Sequence, residues 1–290
     1  MPLSGMGPML RRAKEGGYGI AAFNIIDYNS ARAVVDGAQA MDAPIIAQVS
    51  TKTIRLWGYT AIATWVRQLA ERADVPVALH LDHCSDAEVI RGCIEAGWTS
   101  VMFDGSSLPF EENLAQTQEI YAMSQAAGVG LEAEIGAIGG VEDDKFVAQD
   151  AAILADYDEC VRFCEKMPEL AVFAPAIGTA HGFYKGEPKI SYDRLKRITD
   201  EIAIPIALHG GTGLSQEQFD TCIALGCAKV NISTMHKKDF IDGFVGVRED
   251  NPKQSEPIPF IVGQYERMKA GVEEMIGQFG SKGKGAHAAG

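Results

Sequence analysis

The chain alternates short apolar runs with longer amphipathic stretches. Apolar runs of this length are typical of buried strands, whereas apolar residues recurring every three or four positions are typical of helices. The predicted strands are residues 20–23, 44–49, 77–81, 100–103, 130–135, 171–177, 204–208 and 228–232. The predicted helices are residues 6–15, 28–41, 58–72, 86–96, 109–127, 156–167, 192–201, 215–225 and 260–278.

Alternating strands and helices favour right-handed βαβ units and a parallel sheet. Eight strands are the number that closes a barrel, whereas a Rossmann fold needs fewer strands and a glycine-rich dinucleotide turn after the first. The pattern therefore predicts an α/β protein, a single (β/α)8 TIM barrel with extra N-terminal and C-terminal helices. We expect one barrel domain over residues 1–280 and a mobile tail at 281–290, which is rich in Gly, Lys and Ala.

Three predicted strands lead into histidines: Asp82-His83 follows the third, His181 the sixth and His209 the seventh. A parallel barrel gathers its strand exits on one face, and three histidines with an open position are the usual ligands of a catalytic zinc. A lone Asp-His pair would indicate an ordinary strand-end hydrogen bond, but two further histidines favour a metal site. Alternation along a strand predicts that Asp82 and His83 point to opposite sides.

Two neighbours of this pair have alternative interpretations. Cys84 is a possible further ligand, but three histidines already complete a zinc shell, so packing at the strand end is favoured. His80 lies deeper on the strand face of Asp82, which predicts a hydrogen-bonded core histidine rather than a ligand. His236 and His287 are expected on the surface.

Composition narrows the partners and the compartment. The 290 residues are 47% hydrophobic and 22% charged, with a net charge of -13, which argues against nucleic acid or an anionic membrane as partner. No stretch approaches the roughly 18 apolar residues of a membrane helix, and no signal peptide is recognisable. The six cysteines form no CxxC pair. They are expected to be reduced and buried in a cytoplasmic protein.

Several short motifs of the sequence resemble those of the class II, zinc-dependent ketose-bisphosphate aldolase family, which includes fructose- and tagatose-bisphosphate aldolases. They occur in the family's order from the first predicted strand to the eighth. These motifs are AFN (22–24), LHLDH (79–83), SVMFDGS (100–106), EAEIG (132–136), GGVED (139–143), AIGTAHG (176–182), LHGGTG (208–213) and KVNIST (229–234).

The resemblance implies a reversible, zinc-dependent retro-aldol cleavage of a ketose (bis)phosphate to dihydroxyacetone phosphate and an aldehyde. Its zinc ligands would be His83, His181 and His209, and Asp82 would be the catalytic base. Glu134 matches an alternative ligand and Asp104 an alternative second metal site. Glu142 matches a glutamate on a mobile loop that assists proton transfer, although a solvated acidic loop is the alternative. These side chains would make up the reacting end of the site.

The resemblance also implies a phosphate corner after the seventh and eighth strands, where glycine-turn N–H groups and hydroxyls suit a dianion. A sodium or potassium ion would lie near Gly182 and Gly210, and the substrate would be a sugar phosphate bound by a homodimer or homotetramer. The implied substrate and phosphate contacts are Gly182, Lys185, Gly210, Gly211, Thr212, Asn231, Ser233, Thr234 and, more weakly, Asn24 and Ser50.

Some positions depart from the family pattern. Met235 and the residues to 238 replace an acidic continuation, residues 259–264 lack an arginine for a distal phosphate, and 84–86 and Trp98 also differ. The distal end of the substrate could therefore be unphosphorylated, or carry a sulfonate held by Arg55 or Lys52. A non-catalytic aldolase-like subunit is a third interpretation, but it would have no need of Asp82.

Overall fold

A computed structural model describes residues 2–142, 145–147, 153–184 and 186–285, with the backbone alone described at 141, 142 and 145–147. The barrel strands are β1 (Ile20–Asn24), β2 (Ile45–Ser50), β3 (Val77–Asp82), β4 (Ser100–Phe103), β5 (Gly130–Ile135), β8 (Val172–Pro175), β10 (Ile206–Leu208) and β11 (Cys227–Ile232). These eight parallel strands close into a barrel in the order β1-β2-β3-β4-β5-β8-β10-β11, which confirms the predicted fold.

The helices agree with the predicted segments to within a few residues, apart from two that were not predicted. They are α1 (Met6–Gly16), α2 (Tyr28–Ala40), α3 (Thr51–Trp57), α4 (Tyr59–Arg72), α5 (Ala87–Glu95), α6 (Phe110–Ala127), α7 (Tyr157–Lys166), α8 (Tyr192–Glu201), α9 (Gln216–Ala224), α10 (Thr234–Asp250) and α11 (Pro257–Gln278). The two new helices, α3 and α10, lack a clean apolar stripe: α3 is short, and α10 exposes Ile241 while burying His236 and Asp239.

A small second sheet lies beyond the barrel strands. It consists of β6 (Gly139–Glu142), β7 (Lys145–Val147) and β9 (Ala180–His181), in the order β7-β6-β9. The parallel pair of β6 and β9 sets Gly140 opposite His181. The predicted mobile segment around Glu142 therefore starts on a strand that is hydrogen-bonded to a candidate metal ligand.

Two groups of buried apolar residues fill the outside of the barrel and one of its ends, and the site lies at the other end. Strand residues that face outward pack with the surrounding helices into the larger core. Small inward residues such as Ala22 and Ala78 pack with Met6, Met9 and Leu10 of α1, so this helix closes the end where the strands begin. The polar residues that follow the strands lie at the opposite end.

The described part of the predicted tail contacts the barrel. Ser281 is buried, and the backbone N–H groups of Gly283 and Gly285 donate to the carbonyls of Met41 and Asp42. Residues 286–290 lie outside the described chain, so the mobile tail and its boundary stay predictions. No helix in the described part of the chain combines the length and the apolar character needed to cross a bilayer.

Candidate active site

Asp82 ends β3 and accepts hydrogen bonds from side-chain amides of three other barrel strands, β1, β2 and β11. Asn24 donates to its Oδ2 at 2.8 Å and Gln48 to the same oxygen at 3.2 Å. Asn231 donates to Oδ1 at 3.3 Å, and Gln48 also donates to Asn24 Oδ1 at 2.8 Å. Only 1% of Asp82 is exposed. Three N–H donors around one buried carboxylate fix the direction in which its oxygens point.

Gln48 was missed by the sequence analysis, although the sequence carries a signal for it. It is a polar residue within the buried strand β2, and it lies opposite His80 in the register with β3. Polar pairs two residues apart recur in other barrel strands, as in Glu132 and Glu134 or Lys229 and Asn231. Residues two apart on a strand share one face. Such pairs in an otherwise apolar strand therefore indicate the polar centre of a barrel.

His83 reaches the site through a turn and not through strand alternation. The strand ends at Asp82, and His83 adopts a left-handed backbone with φ of 42°. Strand alternation therefore does not set the direction of the His83 side chain, and the predicted separation of the two side chains stays a prediction. A non-glycine residue in this conformation is strained by about 1–3 kcal/mol and is typically found at functional sites.

His83, His181 and His209 come together, as their three strand exits predicted. One nitrogen from each ring lies within 4.8 Å of the others. His209 Nδ1 and His83 Nε2 are 2.9 Å apart. The ring of His181 lies 5.2 Å from that of His83 and 5.9 Å from that of His209, measured between centroids.

The outer nitrogens of two of these rings meet carboxylates. His83 Nδ1 lies 3.0 Å from Asp104 Oδ2, and His209 Nε2 lies 2.8 Å from Glu132 Oε1. Burial opposes the charge of Glu132, but Lys229 and the hydrogen bonds from His209 and His80 outweigh it, so the pKa of Glu132 lies well below its usual value. An ionised carboxylate only accepts, so Nε2 of His209 carries the proton in its contact with Glu132.

The inner nitrogen of His209, Nδ1, is therefore left with a lone pair and lies 2.9 Å from His83 Nε2. Burial is the main cause that lowers the pKa of His209, which favours its neutral imidazole. A neutral imidazole nitrogen with a lone pair is the form that binds a metal. The donor set fits a borderline metal such as zinc, which accepts neutral imidazole nitrogens.

A second group overlaps the first. His83, Asp104 and Glu134 also offer ligand atoms within 4.8 Å of one another. Asp104 accepts from the Ser106 hydroxyl at 2.6 Å, and Glu134 Oε2 lies 3.9 Å from His209 Nδ1. The two carboxylates predicted as alternative ligands thus lie beside the histidine cluster.

The four other residues considered as ligands or surface histidines, one cysteine and three histidines, have different outcomes. Cys84 is buried, burial raises its pKa to about 11, and it joins neither ligand group found among the described residues. His80 is buried and hydrogen-bonded to Ser100, as predicted. His236 is only 1% exposed, so its prediction as a surface residue is wrong. It lies on the buried side of α10 and packs against Phe23. His287 lies outside the described residues.

The glycine turn after β10 is tied to the loop after β8. Gly210 has φ of 69°, and a Cβ there would lie 2.5 Å from the carbonyl oxygen of Ala180, so only glycine fits. Tyr184 donates to the carbonyl of Gly210 at 2.7 Å and accepts from the N–H of Ala180 at 2.9 Å. Mainly through burial, its pKa is raised to about 12, so the hydroxyl stays protonated. One hydroxyl thus joins the segments that carry His181 and His209.

The predicted phosphate residues line the same end of the barrel. Thr212, Asn231 and Ser233 are all less than 10% exposed, and Gly211 is buried. Ser233 precedes α10, whose first turn begins at Thr234, so free helix N–H groups start here. Gly182 has φ of 92°, and Ser50 pairs with Asp82 in the β2–β3 register. Lys185 and the side chain of Glu142 lie outside the described residues.

Comparison with known proteins agrees with this geometry. The family model for "Fructose-bisphosphate aldolase class-II" matches residues 5–284. The chain is 38% identical over 289 residues to the fructose-bisphosphate aldolase of Geobacillus stearothermophilus, covering 99% of this chain and 100% of that protein. It is 35% identical over 276 residues to the sulfofructosephosphate aldolase of Alkalicoccus urumqiensis, covering 95% and 96%.

A solved structure shares the whole architecture. The YdjI aldolase from Escherichia coli K12 superposes with a TM-score of 0.86 at 28% identity, covering 98% of this chain and 100% of that one. A family model matched over nearly the full chain, relatives aligned end to end and a shared barrel lead to one assignment. The chain belongs to the class II fructose-bisphosphate aldolase family.

Proposed function

We propose that the chain is a zinc-dependent aldolase that reversibly cleaves a ketose phosphate to dihydroxyacetone phosphate and an aldehyde. The observation that carries the proposal is the buried Asp82, clamped by three amides, directly before a cluster of three convergent histidines. His83, His181 and His209 would hold the zinc. When bound, zinc supplies a Lewis acid that polarises the ketose carbonyl and stabilises the negative charge left by cleavage.

Asp82 would start the cleavage by taking the proton of the C4 hydroxyl, which lets the C3–C4 bond break and the aldehyde form. Asn24, Gln48 and Asn231 keep the carboxylate oriented for that transfer. In this proposal Asn231 also contacts the dihydroxyacetone part of the substrate, and Glu142 returns a proton at C3. Because both proton transfers are reversible, the same residues would serve aldol condensation.

We place the C1 phosphate at the start of α10, against Ser233, Thr234 and the glycine turn at Gly211 and Thr212. Gly182 and Lys185 would cover it from the neighbouring loop, and a monovalent cation would bind near the carbonyls of Gly182 and Gly210. The helix N-terminus and the buried hydroxyls support this position, since both donate hydrogen bonds to a dianion. Asn24 and Ser50 would lie at the substrate's edge.

The test combines metal removal with a substitution. Chelator-treated protein should lose cleavage of fructose and tagatose bisphosphates, and added zinc should restore it. Asp82→Asn should lower turnover by about 100- to 10,000-fold while zinc binding is kept. Asp250→Asn, at the exposed end of α10, is the matched control. Full activity in metal-free protein, or in Asp82→Asn, would rule the mechanism out.

A second substrate class has its own support. The start of α11 offers Ile258, 61% exposed, and Phe260 and Ile261 rather than a cation for a distal phosphate. The relative from Alkalicoccus urumqiensis is named for a sulfofructose phosphate. We therefore propose a C6-sulfonated ketose phosphate as the alternative substrate, with Lys52 or Arg55 of α3 near its sulfonate. A panel of fructose, tagatose and sulfofructose phosphates, scored by released dihydroxyacetone phosphate, separates the two.

We also propose that the protein works in the cytoplasm as a homodimer or homotetramer, as the family resemblance implies. The net charge of -13 supports a small-molecule substrate rather than nucleic acid or an anionic membrane. Size-exclusion chromatography with light scattering measures the subunit number directly.

A further inference from the structure

Beneath the histidine cluster, the barrel interior holds a charged group that the proposed reaction does not use. Lys229 of β11, Glu132 of β5 and His80 of β3 are all fully buried. Lys229 Nζ lies 2.8 Å and His80 Nε2 lies 3.1 Å from Glu132 Oε2, whereas Oε1 lies 2.8 Å from His209 Nε2. The two carboxylate oxygens therefore serve different partners: one faces a metal-ligand candidate and the other faces the lysine.

The contact with Glu132 decides which nitrogen of His209 carries the proton. A neutral imidazole carries one proton, and the nitrogen without it is the one that binds a metal. Because Glu132 Oε1 requires a proton on Nε2, only Nδ1 of His209 is left with a lone pair, and Nδ1 is the atom that faces His83. Lys229 favours the charged carboxylate, which can only accept.

We propose that Glu132 and Lys229 are positioning residues that fix the tautomer of His209 so that its Nδ1 binds the metal. The inference rests on the proposed zinc site. Burying an ion pair costs desolvation energy, and an apolar pair often replaces one without loss of stability. Orienting His209 as a metal ligand would give this buried pair a role beyond stability. The hydrogen-bond partners of metal-binding histidines commonly have such a role.

Glu132→Gln tests the tautomer directly, because an amide has one accepting and one donating end. Lys229 only donates, so the amide oxygen should turn toward Lys229 Nζ and the NH2 group toward His209 Nε2. His209 would then have to accept at Nε2 and carry its proton on Nδ1. We expect zinc affinity, measured by competition with a chelator, to fall about 10- to 100-fold.

The double variant Glu132→Gln with Lys229→Met should recover most of that loss. Without the lysine, the amide oxygen is free to face His209, and the NH2 group can donate to His80 Nε2. The matched control is His80→Gln, which removes a neighbour of Glu132 that contacts no candidate metal ligand in the described structure; its zinc affinity should stay within about twofold of wild type. A purely structural pair would show the greatest loss in the double variant.

The wild-type protein gives a readout that needs no variant to fold. Nitrogen-15 spectra of the zinc-loaded protein, with His209 assigned through His209→Gln, should show a proton on Nε2 and none on Nδ1. A proton on Nδ1 overturns the inference, as does undiminished zinc affinity in folded Glu132→Gln or a double variant no tighter than the single one. Failure of the wild type to bind zinc would instead overturn the proposed function.

Discussion

Gln48 illustrates how a buried side chain can act through the residue that it contacts. It is fully buried and donates to both Asp82 and Asn24. Gln48→Met keeps the side-chain length but removes the donor. Because a hydrogen bond to a charged group is worth about 1.5–3 kcal/mol, we expect kcat/KM to fall by ~10- to 100-fold.

Zinc binding should separate this effect from general damage. No hydrogen bond within the described chain joins Gln48 to a candidate metal ligand, so the zinc affinity of Gln48→Met should match that of wild type. Gln125→Met, on the exposed face of α6, is the control for loss of a glutamine. Unchanged kcat/KM in Gln48→Met would show that Asn24 and Asn231 suffice to hold Asp82.

His236 predicts an acid-sensitive fold. It is buried against Phe23, and neither ring nitrogen has a hydrogen-bond partner in the described structure. Burial lowers its pKa to about 3. Between that value and the usual 6.5, the unfolded chain binds a proton that the folded protein does not, so stability falls as the pH decreases. The slope is at most about 1.4 kcal/mol per pH unit.

His236→Leu should remove this contribution. Between pH 7 and pH 5, the free energy of unfolding of wild type should fall by about 2 kcal/mol more than that of the variant, which is 1.5 pH units below 6.5 at the slope above. Urea titrations at the two pH values measure the difference. Parallel losses in the two proteins would mean that His236 is protonated in the fold.

At the scale of elements, Tyr184 joins the loops that follow β8 and β10. Its hydroxyl accepts from Ala180 and donates to Gly210, the neighbours of two candidate ligands. Tyr184→Phe should leave both backbone groups without this partner. We expect faster amide hydrogen exchange in residues 178–184 and 209–213 and zinc affinity lowered by ~5- to 10-fold, corresponding to a hydrogen bond of about 1 kcal/mol.

A matched tyrosine makes this prediction specific. Tyr121 of α6 also bonds a backbone group through its hydroxyl, accepting from Glu169 N–H at 3.1 Å, but on the outside of the barrel. Tyr121→Phe should change neither the exchange of the two site loops nor zinc binding. Equal effects of the two variants would show that Tyr184 has no specific role in linking the two site loops.

At the scale of the whole molecule, periodicity was enough to predict the barrel, because each of the eight barrel strands is mostly apolar and most helices bury one clear face. The histidine cluster followed from the convergence of strand exits. Periodicity could not show the hydrogen bond from Gln48 to Asp82 or the burial of His236, because both depend on contacts distant in sequence. It also could not show the left-handed backbone at His83, which lies just beyond the end of a strand. Helix α10 was missed because part of its apolar face is exposed.

The exposed apolar face of α10 predicts that the protein associates with a second copy of itself. On α10, Ile241 and Val245 are one turn apart and 57% and 45% exposed. On α11, Ile258, Ile261 and Val262 recur at helical spacing and are 61%, 42% and 50% exposed. The two helices pack together, with Phe244 stacked on Phe260. Apolar surface shared by adjacent helices is typical of an interface, and a second copy related by a two-fold axis can cover it with the same surface.

Charges placed on this face should separate the subunits. We expect the wild type to be a dimer or tetramer by light scattering, and the double variant Ile241→Glu with Ile261→Glu to shift toward monomer, because two buried carboxylates per subunit would face one another across the axis. The double variant Ala122→Glu with Ala126→Glu adds the same charge on the exposed face of α6 and should leave the mass unchanged. A wild type that stays monomeric at tens of micromolar, or a double variant of unaltered mass, would place the subunit contact elsewhere or exclude it.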